Sequence, residues 1–240
     1  MISIDTTKTV REIVVESPDA TRIFEKLKID YCCGGNRPLT AACAEAGVAV
    51  GEVMRLLEES AKLDGPAATD FQTASLTELM SYIVYKHHIF TRQEIERISA
   101  LLDKVCFVHG HNHPELLALQ PLFQELADDL MPHMFKEERA LFPYIERMEG
   151  ALKNNLQMPH PPFGTVRNPV RMMTMEHDKA GDLLRKLRET SKDYALPADA
   201  CISYQTLYRA MEAFEQDLHQ HIHLENNILF PRALQMEDAA

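Results

Sequence analysis

One frame, His133-x-x-x-Glu137-x-x-x-Leu141-Phe142-Pro143, recurs 88 residues later as His221-x-x-x-Glu225-x-x-x-Leu229-Phe230-Pro231. Helical positions i and i+4 lie on one face, a turn apart, so each copy offers an imidazole beside a carboxylate. Two such helices facing each other bring two His and two Glu to one point in a bundle core. Carboxylate oxygens there can bridge a pair of metal ions.

The 240 residues, 45% of them hydrophobic, are enough for one large domain or for a large and a small one. A formal net charge of −11 argues against a nucleic-acid binder or a protein held on anionic membranes. No stretch approaches the run of about 20 apolar residues that a membrane span requires. Met1-Ile2-Ser3-Ile4-Asp5 lacks the basic start and apolar run of a secretory signal. Five cysteines without disulfide-like spacing suit a reducing cytoplasm.

The pattern predicts an all-α protein: an up-down four-helix bundle preceded by a small helical domain. Residues 1–62 read as that small domain, 63–74 as a linker containing Gly65-Pro66, and 75–240 as the bundle. In the small domain, helices are predicted over Thr9–Val15, from Ser17-Pro18 to Lys28, over Thr40–Ala46 and over Gly51–Lys62. Between the second and third lies a Gly-rich turn, Asp30-Tyr31-Cys32-Cys33-Gly34-Gly35. Ser75-Leu76-Thr77-Glu78 has the capping-box pattern and opens the first bundle helix, which ends near Val108. The second runs from Glu115 to about Met148, the third from an Asn168-Pro169 cap to about Ser191, and the fourth from about Asp199 through Phe230. Pro143 and Pro231 are expected to kink or end their helices.

Antiparallel neighbours share a level when they are equidistant from their turn. His88 and His133 have their midpoint at Gly110-His111, and His177 and His221 have theirs at Asp199, each in or beside a predicted turn. Four His and two Glu thus converge on one layer. A single His-x-x-x-Glu is an ordinary surface pair. Two copies in an identical frame, each with a second His at matching height, point to a metal site, because burying these groups without a cation costs several kcal/mol each. The N/O donor set suits iron or manganese better than magnesium or calcium, and the absence of thiolates argues against structural zinc.

Elsewhere, His87 reads as packing against or supporting a ligand rather than as a ligand itself, and His109 as stabilising the turn after the first bundle helix. His111, His113, His160 and His219 read as solvated, and Cys43, Cys106 and Cys201 as inert within helices. Met131, Met134, Met172, Met173 and Met175 read as core filling, and Glu138 and Asp178 are candidates to orient ligand imidazoles. Cys32 and Cys33 are the candidate catalytic thiols: either accessible in their Gly-rich turn or simply half-buried in a loop.

The bundle resembles the hemerythrin-like proteins that hold a non-haem di-iron centre. The whole chain resembles the di-iron proteins that repair iron–sulfur clusters. The residues that carry this are Asp30 through Gly35, Val108-His109-Gly110, His113-Pro114-Glu115-Leu116, Lys136-Glu137-Glu138, Leu141-Phe142-Pro143, Glu176-His177-Asp178, Leu224-Glu225-Asn226-Asn227 and Leu229-Phe230-Pro231. The resemblance implies His88, His133, His177 and His221 as terminal ligands, and Glu137 and Glu225 as bridges between two oxo- or hydroxo-bridged non-haem irons. Oxygen-carrying hemerythrins have a further His one turn after the third-helix ligand. Here that position is Gly181, which argues against dioxygen transport.

The expected function is repair of clusters damaged by nitric oxide or oxidants, with iron supplied to damaged iron–sulfur proteins as clients and Cys32 and Cys33 passing iron or docking the client. The same ligands would also serve a nitric oxide reductase, or a protein that only binds nitric oxide. The sequence leaves oligomeric state open.

Overall fold

A computed structural model describes residues 7–32, 34–60 and 71–239. Cys33 and most of the expected linker therefore lie outside the described residues.

Four short helices, α1 (Val10–Glu16), α2 (Ala20–Leu27), α3 (Leu39–Ala46) and α4 (Val50–Ser60), make the N-terminal unit. Thr9 caps α1 reciprocally with Glu12, and Asp19 rather than Ser17 precedes α2. Gly47 ends α3 with φ +69°, a left-handed conformation that glycine adopts without a Cβ clash. The unit has its own core, in which Val10, Phe24, Leu39, Cys43 and Val53 are fully buried.

The first bundle helix comprises α5 (Leu76–Ile83), a π-helical turn (Val84–His88) and α6 (Ile89–His109). The second comprises α7 (Pro114–Lys136), a π-turn (Glu137–Leu141) and α8 (Phe142–Lys153). The third is α9 (Arg167–Thr190), and the fourth is α10 (Ile202–His223), a π-turn (Leu224–Leu229) and α11 (Phe230–Asp238). The capping box at Ser75 forms, with the Ser75 hydroxyl accepting from the Glu78 N–H.

Three expectations change. Pro143 and Pro231 do not end their helices: each follows a π-turn and stands in the first turn of the α-helix that continues beyond it, where a missing N–H costs least. Asn168 does not cap α9. The helix begins at Arg167, the Glu237 carboxylate accepts from the Val166 N–H (2.8 Å), and Asn168 donates instead to the Phe163 carbonyl. Cys201 is no core residue, since it is exposed at the N-cap of α10.

α6 packs on α7 and α10, and α7 packs on α9, so the closest neighbours of the third and fourth bundle helices come from the first hairpin. The bundle interior divides into two apolar cores. One is built around Ile98, Leu102, Phe123, Leu126, Leu184 and Phe214, the other around Leu79, Ile83, Ile145, Met173, Leu229 and Phe230. Between them lies a polar layer.

Candidate metal centre

That layer contains His88, His133, Glu137, His177, His221 and Glu225, all at most 2% exposed. Their donor atoms form two groups, His88–Glu137–His221–Glu225 and His133–Glu137–His177–Glu225, each with its atoms within 4.8 Å of one another. The six residues meet in one layer, but the imidazoles pair across hairpins rather than within them. His88 Nε2 lies 3.1 Å from His221 Nε2, and His133 Nε2 lies 3.0 Å from His177 Nε2. Level along the axis was readable from turn midpoints; which helix is adjacent was not.

Both carboxylates serve both groups. Glu137 turns Oε2 toward His88 (3.5 Å) and Oε1 toward His133 (3.4 Å). Glu225 turns Oε1 toward His221 and Oε2 toward His177, both at 3.1 Å. None of these four oxygens has a partner in hydrogen-bonding alignment, although both residues are fully buried. Two donors about 2.1 Å from a shared ion and at right angles to one another sit about 3.0 Å apart, which is the spacing of each imidazole pair. The donor set fits two cations bridged by two carboxylates. When only protons are available, the carboxylates recruit the imidazoles. Burial alone would lower His133, but Glu137 and Glu176 outweigh it and raise it to about 10. His88 also moves upward, Glu137 and Glu225 move downward, and His221, where burial dominates, moves downward.

Outer partners fix three of the four rings. His88 Nδ1 meets Glu138 at 2.7 Å, and Arg92 holds the same carboxylate oxygen at 2.7 Å. His133 Nδ1 meets Glu176 at 2.8 Å, backed by Lys136. His177 Nδ1 donates to the Asn226 amide oxygen at 2.8 Å. Such partners set the tautomer and basicity of a ligating imidazole. Of the two residues expected in this role, Glu138 fills it, while Asp178 acts on His177 through its charge rather than as the acceptor for His177 Nδ1, which is Asn226. Glu176 and Asn226 were missed, although Asn226 stands 88 residues after Glu138, in the spacing of the repeat. The repeat extends further: Phe142 stacks on His88 and Phe230 on His177, both with ring centres 5.9 Å apart.

His87 is buried and stacked on His221. His109 belongs to neither donor group and lies at the far turn, its Nε2 3.1 Å from Cys201 Sγ. His113, expected to be solvated, is partly buried and bonded to Glu115 and Asp199. Met134 and Met173 fill the core as expected, while Met131, Met172 and Met175 are exposed.

Cys32 is 5% exposed, and its thiol donates to Asp30 Oδ1 at 3.4 Å. It lines two clefts between the N-terminal unit and the bundle. The larger, about 500 Å³, also touches Arg22, Gly181 and His219. The smaller, about 210 Å³, also touches Asp178, Asn226 and Phe230, next to His177. Asn227 donates to the Tyr31 carbonyl (3.0 Å), which ties the thiol-bearing turn to the segment carrying Glu225.

Residues 79–233 match the family described as hemerythrin HHE cation binding domain, and residues 6–61 match a domain of unknown function, DUF542. The chain is similar to the iron-sulfur cluster repair protein YtfE of Musicola paradisiaca, at 35% identity over 96% of this chain and 97% of that protein. It is similar also to the YtfE proteins of Escherichia coli O81 and Citrobacter koseri, each at 32% identity over 93% of this chain and 94% of theirs. The chain belongs to the family of hemerythrin-domain iron-sulfur cluster repair proteins.

Proposed function

We propose that this chain repairs damaged iron–sulfur clusters by holding two iron ions and handing iron to the client protein. One observation carries the reading: two imidazole pairs share two fully buried carboxylates whose oxygens have no hydrogen-bond partner. A site built only for stability would leave no such oxygens, since each uncompensated buried charge costs several kcal/mol. The relatives' names supply the repair role.

Bound there, iron is the cargo, and the bundle's residues bind, orient and shield it. Glu137 and Glu225 would serve both positions through their carboxylates, and His88, His133, His177 and His221 would hold the ions through Nε2. The apolar cores above and below exclude water, which keeps the ions from leaving unaided. Cys32, with Cys33 beside it in the chain, is the proposed exit point, because Cys32 lines the cleft that reaches Asn226 and Phe230. The occasion for repair is nitrosative or oxidative damage, and the compartment is the cytoplasm, in keeping with five cysteines that lack disulfide-like spacing. The N-terminal unit (1–62) is read as the client-facing domain and residues 75–240 as the store. No helix among the described residues is long and apolar enough to cross a membrane.

The test mixes iron-loaded protein with a dehydratase whose cluster has been destroyed by nitric oxide. Recovery of dehydratase activity should exceed that given by an equal amount of free ferrous iron, and Cys32→Ser should reduce it. Recovery no better than free iron rejects donation. Nitrous oxide accumulating over many turnovers would point instead to nitric oxide reduction.

A further inference from the structure

The two halves of the centre correspond position by position, and at all but one pair the two residues play the same part. His133 and His221 correspond across the repeat, as do Glu137 and Glu225, Glu138 and Asn226, and Phe142 and Phe230. The residue before each first-in-hairpin histidine breaks the match: Glu176 precedes His177, whereas His87 precedes His88. Glu176 accepts from His133 Nδ1 at 2.8 Å. His87 instead lies parallel to His221, with ring centres 5.7 Å apart and planes 6° from parallel, and makes no hydrogen bond to it. His221 Nδ1 is buried and finds no partner among the described residues. The carboxylate nearest His87 is Asp217, 3.0 Å from its Nδ1 but out of hydrogen-bond alignment, and it does not relieve His221.

We infer that the two metal positions are unequal, and that the ion held by His88 and His221 is the one given up first. The inference rests on the dinuclear reading above. Glu137 and Glu225 are common to both positions, so the difference lies in the imidazoles. At one position both rings are fixed by outer acceptors, Glu176 and Asn226. At the other only His88 is fixed, and His221 is free to lose its orientation. A ligating imidazole without an outer acceptor is less basic and less well aimed, and losing such a partner typically weakens metal affinity about 10–100-fold. One half of the store is thus built to release and the other to retain.

The experiment loads the full chain anaerobically with ferrous iron, counts the bound metal, then follows its capture by excess ferrozine. Two equivalents should leave in two phases of equal amplitude. Glu176→Ala, at a partly exposed position, removes the acceptor and should speed the slow phase about 10–100-fold and leave the fast phase alone. Glu138→Ala should speed only the fast phase. His87→Gln, which offers an amide oxygen toward His221, should slow the fast phase toward the other. Two ions leaving at one rate, or Glu176→Ala acting on the fast phase, overturns the inference. Fewer than two ions bound at the start overturns the dinuclear reading as well.

Discussion

Glu137 and Glu225 show how a residue's environment reveals its task. A carboxylate buried with both oxygens unpaired survives only where something else matches its charge, and each of these faces two imidazoles. Replacing Glu225 with Gln keeps the shape and removes the charge shared between the two positions. The expected result is loss of at least one of two bound ions, with affinity falling by more than the roughly 10–100-fold typical of an outer partner. Metal analysis after dialysis, with circular dichroism to verify the fold, measures this. Retention of both ions would mean that Glu225 is not a ligand.

At the scale of the element, the π-turns matter most. Three of the four bundle helices widen for five or six residues, and His88, Glu137 and Glu225 all sit in those turns. π-turns collect at functional sites because the inserted residue re-aims side chains that an unbroken α-helix would point elsewhere. Helix starts follow the same repeat as the ligands. Glu149 accepts from the Leu76 and Thr77 N–H groups and the Thr77 hydroxyl, and Glu237, 88 residues later, accepts at Val166 and Thr165. Glu149→Ala should cost about 1–3 kcal/mol in urea unfolding at neutral pH, because it strands buried N–H donors. Burial pushes the Glu149 carboxyl up, but the bonds from Thr77 and Leu76 outweigh this and hold it below its usual value. Its contribution is therefore present above the unfolded-state carboxylate pKa and lost as pH falls through the lower folded value. The gap between native and variant protein, both metal-free, should shrink from pH 7 to about pH 3. A gap that does not change with pH would contradict the assignment.

Across the whole molecule, the N-terminal unit is tied to the fourth bundle helix by few but specific contacts. Asn227 donates to Tyr31, Gln220 donates to Glu25, and Tyr31 packs edge-on against His223. Lys28 pairs with Asp193 at the turn before that helix. Asn227→Ala leaves the Tyr31 carbonyl without its amide donor and should lower stability by about 1–3 kcal/mol. It should also raise the rate at which a maleimide labels Cys32, read by mass spectrometry, while iron content stays unchanged. Unaltered labelling would show that the thiol turn is held by other means. Metal removal acts on the bundle. Binding at 100-fold over the dissociation constant adds about 2.7 kcal/mol, so chelation should lower the bundle's melting temperature by about 5–10 °C. Amide exchange should quicken around the π-turns and change little in the separate core of the N-terminal unit.

The all-α class, the helix count in the bundle and the six converging side chains were legible in the chain itself. Amphipathic spacing, turn residues and an exact duplication are local properties, and matching heights follow from counting to the turns. The partners that fix the imidazoles were mostly not legible, because Glu176 reaches His133 from another helix and resembles any surface acid in sequence. Pro143 and Pro231 misled because a proline in sequence reads as a stop, whereas here each stands in the first turn of the α-helix that continues past a π-turn. Likewise, the pairing of His88 with His221 rather than His133 depends on which helices lie side by side. Periodicity states which face of a helix is buried, and packing in three dimensions decides what that face meets.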